Sequence, residues 1–457
     1  MVAPERIHEP GPGAPRQGRY VLYWMQQAQR AFDNAALDHA VVRANALRIP
    51  VVVVFGLTAD YPEANLRHYA FLLEGLAETA GDLKERGIAF VPLLRQPPEA
   101  ALSLAGEAAL LVCDRGYLRH QRRWREQVAV EAPCPVTEVE TEAVVPVETA
   151  SDKAETAART LRPKIRRLRE QFLAARESVE PLVTDRPSGM EGDFRVEQAA
   201  DVLDRLPLDR SVPPVSDLRG GYGEARRHLG QFIRDHLRGY ADRSSDPVAE
   251  ATSHLSPYLH FGQIGPIEVA RAIQGAEADE GDREAYLEQF IVRRELTFNH
   301  AWFNADYDRY AGLPAWARET LRHHAADPRD PCYGPEQLEQ AQTGDPYWNA
   351  AMTDMRTRGF MPNYMRMYWG KKVLEWMADP ETAFATLLAL NNKYFLDGRD
   401  PSSYANVAWC FGLHDRGWPE RPVFGKVRYM NARGLRRKFA IDTYVRRVLD
   451  KADSEGA

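Results

Sequence analysis

A run of four consecutive valines, Val51–Val54, constrains the fold more than any other feature of this sequence. A β-branched run without polar alternation is typical of a strand buried on both faces of a parallel sheet. Similar apolar runs occupy residues 20–25, 88–94 and 109–114, and segments with helical spacing separate them. This alternation predicts a Rossmann-like α/β domain with a doubly wound parallel sheet over residues 18–150. No GxGxxG follows the first strand, so a standard dinucleotide fingerprint is absent.

The remaining segments differ from this domain in amino-acid composition and sequence pattern. Residues 1–17 are polar and rich in Pro and Gly, which predicts a flexible tail. Residues 151–215 combine a basic helical stretch with a Pro-rich acidic segment, which indicates an interdomain linker. Residues 216–457 are mainly helical in pattern, so we expect a second domain that is all-α. A chain of 457 residues is long enough for two domains.

Charge and cysteine usage limit the function classes. The net charge of −6 argues against a protein that is basic overall, so a nucleic-acid site would be a local patch. The four cysteines are widely spaced, which predicts reduced thiols, no metal site and a cytoplasmic location. No apolar run approaches the length of a membrane span. We therefore expect no membrane association, and we expect a monomer.

Two segments of the second half carry polar groups that could hold a cofactor. In TSHLSPYLHFGQ, residues 252–263, hydroxyl side chains precede a proline and an apolar helical run, a pattern that suits phosphate binding or an ordinary capped helix. In LNNKYFLDGRDPSSYANVAW, residues 390–409, Asp397 and Asp400 could accept hydrogen bonds from hydroxyl groups or could simply mark turns.

A helical segment, MPNYMRMYWGKKVLEW at residues 361–376, carries aromatic and basic side chains at helical spacing. Asn363, Arg366 and Trp369 are three residues apart and share a face, to which Trp376 returns seven residues later. This face could contact a flavin and conduct electrons, or it could be an aromatic stripe of the core. In YLEQFIVRREL, residues 286–296, an apolar strip ends in Arg-Arg-Glu, which would also suit a buried salt bridge.

The C-terminal end is the local basic patch. Residues 420–451 contain ten Lys or Arg against three Asp or Glu, in a chain that is acidic overall. Such a stretch suits binding to a phosphate backbone, although a solvated helical face has the same composition.

These motifs, in this order, resemble the photolyase/cryptochrome flavoproteins, and HDRGW, ERPVFGKVRYMN and RKF are similar to the class II branch that acts on cyclobutane pyrimidine dimers. The resemblance covers nearly the whole chain. It implies an all-α domain that binds FAD, active as the fully reduced anion, which repairs dimers in ultraviolet-damaged DNA by light-driven electron transfer. It also leaves room for an antenna pigment, such as a deazaflavin, in the α/β domain. One departure is DPSSY, where the family usually has DPNGY.

The resemblance implies specific roles for residues around the flavin. Arg366 would pair with Asp397 beside the isoalloxazine ring, and Asn391 would lie near flavin N5, with Asn392 as the alternative. Trp369, Trp348 and Trp376 would form an electron chain, as its proximal, middle and solvent-side members. The full set of flavin contacts comprises Tyr240, Thr252, Ser253, Leu255, Ser256, Gln263, Arg294, Asn363, Arg366, Asn391, Asp397 and Asp400.

The resemblance also implies a DNA-binding face. The family pattern has two consecutive acids where this chain has Glu288–Gln289, so either residue could meet the lesion, and a glutamine could not donate a proton. Trp409 would pack on the extruded dimer, and Arg433 and Gly434 would lie near the gap in the duplex. The other residues expected to contact DNA are Lys426, Arg428, Arg436, Arg437 and Lys438.

Two alternatives remain open at this point. A cryptochrome-like blue-light receptor without repair activity would keep FAD and the tryptophans but lose the basic face. A nucleotide-binding protein of the universal-stress type would account for the first domain alone.

Overall fold

The α/β domain is built on a six-stranded sheet. The computed structural model describes residues 2–10, 13–174 and 178–455. The strands are β1 Ile7–His8, β2 Tyr20–Trp24, β3 Val51–Gly56, β4 Ala89–Leu93, β5 Ala108–Asp114 and β6 Val136–Val139. Their order is β1-β6-β5-β2-β3-β4, and all neighbours are parallel except β1, which pairs antiparallel with β6. The predicted fold class is therefore confirmed.

The four valines fill both sides of this sheet. Val52 and Val54 pack into one core, while Val51 and Val53 pack into the other, because successive side chains of a strand point to opposite faces. Four helices flank the strands: α1 Ala35–Leu47, α2 Leu66–Glu85, α3 Pro97–Ala105 and α4 Arg119–Glu131. Burial on both faces explains why β3 lacks polar alternation.

The prediction of a flexible tail is wrong for the segment that contains Arg6. Arg6 is 1% exposed, and its guanidinium donates to the carbonyl oxygens of Glu140, Ala143 and Val144. A buried guanidinium with several acceptors orders the chain around it, and β1 follows directly. Residues 1, 11 and 12 of the predicted tail lie outside the described residues.

The remainder of the chain is helical. Its helices are α5 Val147–Ala150, α6 Ala158–Phe172, α7 Ala199–Arg205, α8 Tyr222–Asp235, α9 Tyr240–Arg243, α10 Ser256–His260, α11 Pro266–Gln274, α12 Glu280–Leu287, α13 Arg294–Phe303, α14 Ala315–His323, α15 Pro335–Glu339, α16 Pro346–Arg358, α17 Asn363–Trp376, α18 Pro380–Tyr394, α19 Pro401–Cys410, α20 Ala432–Lys438 and α21 Ile441–Glu455. A π-helical turn, Glu288–Arg293, joins α12 to α13. Within the described ranges, no helix is both long and apolar enough to cross a membrane.

Buried polar contacts fasten the helical part to the α/β domain. Arg67 on α2 donates to the carbonyl oxygens of Met355 and Tyr394 at 3.2 and 2.7 Å. From the helical part, Glu295 on α13 reaches the α/β domain, where it accepts from the backbone N–H groups of Val144 and Val145 at 2.6 and 3.2 Å. These contacts fix the cleft between the two parts of the chain.

Candidate active site

Three tryptophans of the helical part form a contiguous chain. The Trp348 ring on α16 lies 6.5 Å from the Trp369 ring on α17, centroid to centroid, with an 18° angle between the planes. It lies 5.6 Å from the Trp376 ring in an edge-to-face arrangement. The geometry therefore gives the order Trp369, Trp348, Trp376, with the middle member supplied by a different helix.

The predicted solvent-side end of this chain is not open to solvent. Trp376 is only 3% exposed. The Tyr333 ring lies 5.2 Å from it, edge-to-face, and the Lys372 ammonium lies 4.6 Å from its centroid. Helical periodicity places Trp376 on the same side as Trp369, but it could not reveal that Tyr333, from a separate loop, covers the indole.

Arg366 and Asp397 form the ion pair that the sequence predicts. The Arg366 Nη2 atom lies 3.0 and 3.1 Å from the two carboxylate oxygens of Asp397. The guanidinium also lies over the Phe395 ring, 3.8 Å from its centroid. Phe395 in turn contacts Trp369 edge-to-face at 6.3 Å. The pair and the first indole of the chain therefore belong to one cluster.

The structure separates the two candidate asparagines by their partners. The Asn392 amide accepts from the Asn391 Nδ2 group and from the Arg399 backbone N–H, and it donates to Glu63 at 2.7 Å. Asn392 is thus committed to the contact with the α/β domain. Asn391 is 5% exposed, and its Oδ1 atom has no recorded hydrogen bond within the described chain. Asn391 is the member of the pair that is available to a ligand.

Asp400 serves as a helix cap. Its Oδ1 atom accepts from the Ser402 backbone N–H at 2.8 Å at the start of α19, and its Oδ2 atom lies 3.5 Å from His260 Nδ1. Burial opposes ionisation, but the contacts with His260, Arg294 and the Ser402 backbone N–H together lower the pKa of Asp400. The geometry therefore directly supports the interpretation that Asp400 marks a turn.

The hydroxyl-rich segment lies beside a cluster of tyrosines. The Tyr286 hydroxyl donates to Ser253 Oγ at 3.0 Å, and the Tyr240 ring lies 5.3 Å from the Tyr286 ring. Burial raises the pKa of Tyr240 to about 12. Ser256 is exposed at the start of α10, Leu255 is buried behind it, and the Thr252 hydroxyl lies 3.5 Å from His254. Asn363 is exposed at the first turn of α17.

Two predicted flavin contacts have other roles. Gln263 is fully buried, and its amide accepts from the Gly221 backbone N–H and donates to the Phe71 carbonyl, at 2.8 and 3.3 Å. Both ends of this amide therefore bond to the chain between α2 and the start of α8, and its role as a flavin contact stays a prediction. Arg294 donates to the Glu142 carbonyl at 2.7 Å and lies over the Phe298 ring.

Glu288, one of the two candidates to meet the lesion, has an ion-pair partner within the chain. Its two carboxylate oxygens accept from Arg162 of α6 at 2.7 and 2.9 Å, and Arg293 lies 3.7 Å away. The sequence could not show this, because Arg162 is 126 residues away in the linker segment. Gln289, the next residue, is exposed and has no recorded side-chain partner within the described chain. Of the two residues, Gln289 is the one that is free to meet a ligand.

The predicted DNA face is basic and uncompensated. Arg433, Arg436, Arg437 and Lys438 are exposed on α20, and Asn431 caps the helix by accepting from the Gly434 backbone N–H at 2.8 Å. None of the ion pairs in the described part of the chain includes these four cations, Lys426 or Arg428. Half-buried Trp409 lies near this face, 6.0 Å from the Arg428 guanidinium.

A cavity between the two parts of the chain has no counterpart in the predicted sites. It lies outside the carboxyl ends of β2 and β3, where ligands of α/β sheets commonly bind. Its walls include Gln26, Thr58, Tyr61, His68 and Arg399. Arg399 is 2% exposed, and its Nε and Nη1 groups are buried without a hydrogen-bond acceptor. The sequence signals for this cavity are the position of several lining residues after strands and the presence of Arg399 within the 390–409 motif.

Comparison with known proteins gives a consistent result. Residues 21–183 match the family model described as DNA photolyase. The chain is 46% identical to the deoxyribodipyrimidine photo-lyase of Methanothermobacter thermautotrophicus, over 98% of this chain and 99% of that protein. It is 39% identical to the enzyme of the same name from Oryza sativa subsp. japonica, over 96% and 89% of the two chains.

Solved structures share the fold at low identity. A class III photolyase from Agrobacterium tumefaciens superposes with a TM-score of 0.72 at 19% identity, covering 96% of this chain and 88% of that one. A cryptochrome from Synechocystis also gives a TM-score of 0.72, at 15% identity, covering 94% and 88%. The α/β sheet followed by a helical half is thus common to both.

Proposed function

Because the chain belongs to the photolyase/cryptochrome family, we propose that it is a DNA photolyase that repairs cyclobutane pyrimidine dimers with light. One observation carries this proposal: helix α17 bears the first indole of an electron chain and also packs against α19, which carries Trp409 beside the basic face. A light receptor without repair activity would need the first feature but not the second.

The residues around Arg366 and Asp397 fit a bound FAD. The Trp369 Nε1 group is buried and has no acceptor among the residues that the structure describes, although buried donors are rarely left unpaired. Asn391 offers a nearby amide, and the Arg366–Asp397 pair supplies fixed charges. When bound, reduced FAD supplies the photoexcited electron, while the protein supplies binding, orientation and electrostatics.

The tryptophans would keep the cofactor reduced. We propose that electrons pass from Trp376 through Trp348 to Trp369. The short ring separations support this order, and the hydrogen bond from Trp348 Nε1 to the Trp369 carbonyl, 3.0 Å long, fastens the middle ring to the backbone of α17. Tyr333, packed on Trp376, shields the far end from water.

On the DNA side, we propose that Trp409 and Gln289 contact the dimer and that α20 holds the phosphate backbone. The ion pair of Glu288 with Arg162 favours Gln289 over Glu288 for this role. An amide at position 289 can donate to a pyrimidine carbonyl without transferring a proton. The motifs of the C-terminal end support assignment to the class II branch. All these residues come from one chain, so a monomer would suffice.

We further propose that the interdomain cavity holds an antenna pigment of the deazaflavin type. Its aromatic and apolar walls suit a flat conjugated ring, and the unpaired guanidinium donors of Arg399 suit the carbonyl or anionic oxygens of such a ligand. A pigment there would transfer excitation energy to the flavin and would take no part in repair itself.

Repair of two defined lesions tests the proposed activity and its branch. The flavin-loaded protein is incubated with oligonucleotides that carry either a cyclobutane dimer or a 6-4 product, in light and in darkness. We expect repair of the cyclobutane dimer in light alone. Tight FAD binding without repair of either lesion would instead support a light receptor, and repair of the 6-4 product would refute the branch assignment.

A further inference from the structure

Lys371 places an ammonium group in the interior of the helical half. The residue has no exposed surface, and its Nζ group donates to the Cys410 carbonyl at 2.6 Å. None of the ion pairs within the described residues includes Lys371. Burial lowers the pKa of this ammonium to about 8. A buried cation with no carboxylate partner is costly, so its retention calls for a compensating interaction.

The neighbouring lysine, Lys372, has the carboxylate partner that normally offsets the cost of burying a charge. Lys372 is also largely buried, but its Nζ group lies 2.7 Å from a carboxylate oxygen of Glu375, one turn along α17. Lys371 faces the other way, toward α19. Its ammonium lies 4.8 Å from the centroid of the Trp409 ring, a distance at which a cation is attracted to the indole.

The contact between α17 and α19 leaves this geometry little freedom. Gly370 precedes Lys371, and a Cβ atom at this position would come within 2.5 Å of Cys410 Sγ. The helices are therefore as close as a glycine allows, and this closeness sets the distance from Lys371 to Trp409. On the surface, Arg428 lies 6.0 Å from the Trp409 ring and 5.0 Å from the Trp418 ring. The Trp409 indole thus contacts one buried and one surface cation.

We propose that Lys371 is a positioning residue for lesion recognition, which holds the Trp409 indole in the orientation on which a flipped pyrimidine dimer stacks. A half-buried tryptophan that is free to change rotamer would lose side-chain entropy when a base stacks on it. A buried ammonium that already holds the ring removes that loss. This inference rests on the proposed function, because it assumes that Trp409 meets the dimer.

The effect of Lys371 on damage discrimination tests the inference. Dissociation constants are measured in darkness by fluorescence anisotropy, for one duplex with a cyclobutane dimer and the same duplex without it. Discrimination is the dissociation constant of the undamaged duplex divided by that of the damaged duplex. We expect Lys371→Met to reduce this ratio by about 5- to 10-fold, as expected for the loss of a buried cation–indole contact. Binding to the undamaged duplex should stay unchanged, which a general loss of folding would not allow.

Two further variants distinguish the effect of the Lys371 charge from other effects of its side chain. Lys371→Gln keeps an N–H donor, on a side chain one atom shorter, but removes the charge, and it should lose discrimination as Lys371→Met does. Lys372→Met is the matched control and should discriminate as the unaltered protein does. If Lys371→Met does not fold, Lys371→Gln carries the test, and normal discrimination by this variant would overturn the inference.

A double-mutant cycle with Trp409→Leu identifies the route of the effect. If Lys371 acts through Trp409, Lys371→Met causes no further loss in the Trp409→Leu background. A full additional loss in that background would refute the positioning role. Absence of discrimination in the unaltered protein would refute the proposed function together with this inference, whereas discrimination that survives Lys371→Met refutes the inference alone.

Discussion

The Trp348 indole donates from Nε1 to the backbone carbonyl of Trp369 at 3.0 Å, and the two rings are close to parallel. This hydrogen bond couples a side chain of α16 to the main chain of α17. It fixes the middle member of the proposed electron chain relative to the first. The Trp348 ring cannot shift without breaking this buried bond, so the position of the middle indole is built into the packing of two helices.

Removal of the middle indole tests this arrangement. Trp348→Phe should slow photoreduction of the flavin by at least about 10-fold, while repair by chemically reduced protein stays within about twofold of the unaltered rate. Photoreduction is followed by flavin absorbance under blue light with an external reductant. Trp302→Phe is the matched control, because Trp302 stacks under Arg115 and Arg122, outside the chain. Equal loss of both activities in Trp348→Phe would contradict the assignment.

Loss of the Arg366–Asp397 pair should destabilise the protein and weaken flavin binding together. Asp397→Asn leaves a half-buried guanidinium without its carboxylate, at a cost of about 1–3 kcal/mol in the free energy of unfolding. Urea denaturation gives this value, and flavin absorbance of the purified variant gives the bound fraction. Asp306→Asn breaks the exposed, 3.9 Å pair with Arg309 and should change neither quantity. Full flavin content in Asp397→Asn would argue against a flavin at this pair.

Glu295 should make stability depend on pH. Burial raises its pKa to about 8 in the folded protein, against 4.5 as its ordinary value. The folded state therefore keeps a proton that the unfolded state releases, and this contribution to stability falls as pH rises from about 5 to 8, by up to about 1.4 kcal/mol per pH unit. Glu295→Gln should remove this slope. The measurement is urea denaturation of both proteins at several pH values, and parallel pH profiles would contradict the prediction.

Arg437 should contribute equally to the binding of damaged and undamaged DNA. Arg437→Ala removes one exposed cation of α20, so the slope of log K against log salt should decrease by about 1 for damaged and undamaged duplexes alike. Binding titrations over a range of salt concentrations measure the slope. Arg227→Ala serves as control, because Arg227 is exposed on α8 and paired with Glu224. An unchanged slope in Arg437→Ala would remove α20 from the DNA face.

Local sequence patterns predicted the features that depend on the periodicity of a single strand or helix. The valines of β3 predicted a strand buried on both faces, and the seven-residue spacing of Trp369 and Trp376 predicted a shared helix side; both follow from the geometry of one element. Long-range partners could not be predicted in this way. Arg6 is ordered by carbonyls more than 130 residues away, and Glu288 is engaged by Arg162 from the linker.

The interdomain cavity escaped prediction for a related reason. Its lining residues are drawn from strand ends, α2, the end of α10 and the loop before α19, and these segments meet only in the folded chain. Gln263 shows the opposite case, since it lies within a motif that resembles a flavin-binding segment, yet its amide bonds to Phe71 on α2 and to Gly221 before α8.

Single-turnover repair of a thymine dimer in duplex DNA tests the central claim most directly. The protein is chemically reduced, mixed with the damaged duplex in darkness, and then either kept dark or exposed to blue light. Restored thymines should appear only after illumination, and the flavin should end in its initial reduced state. Restored thymines in darkness, or none in light despite tight binding of the damaged duplex, would contradict the assignment of this chain as a light-driven repair enzyme.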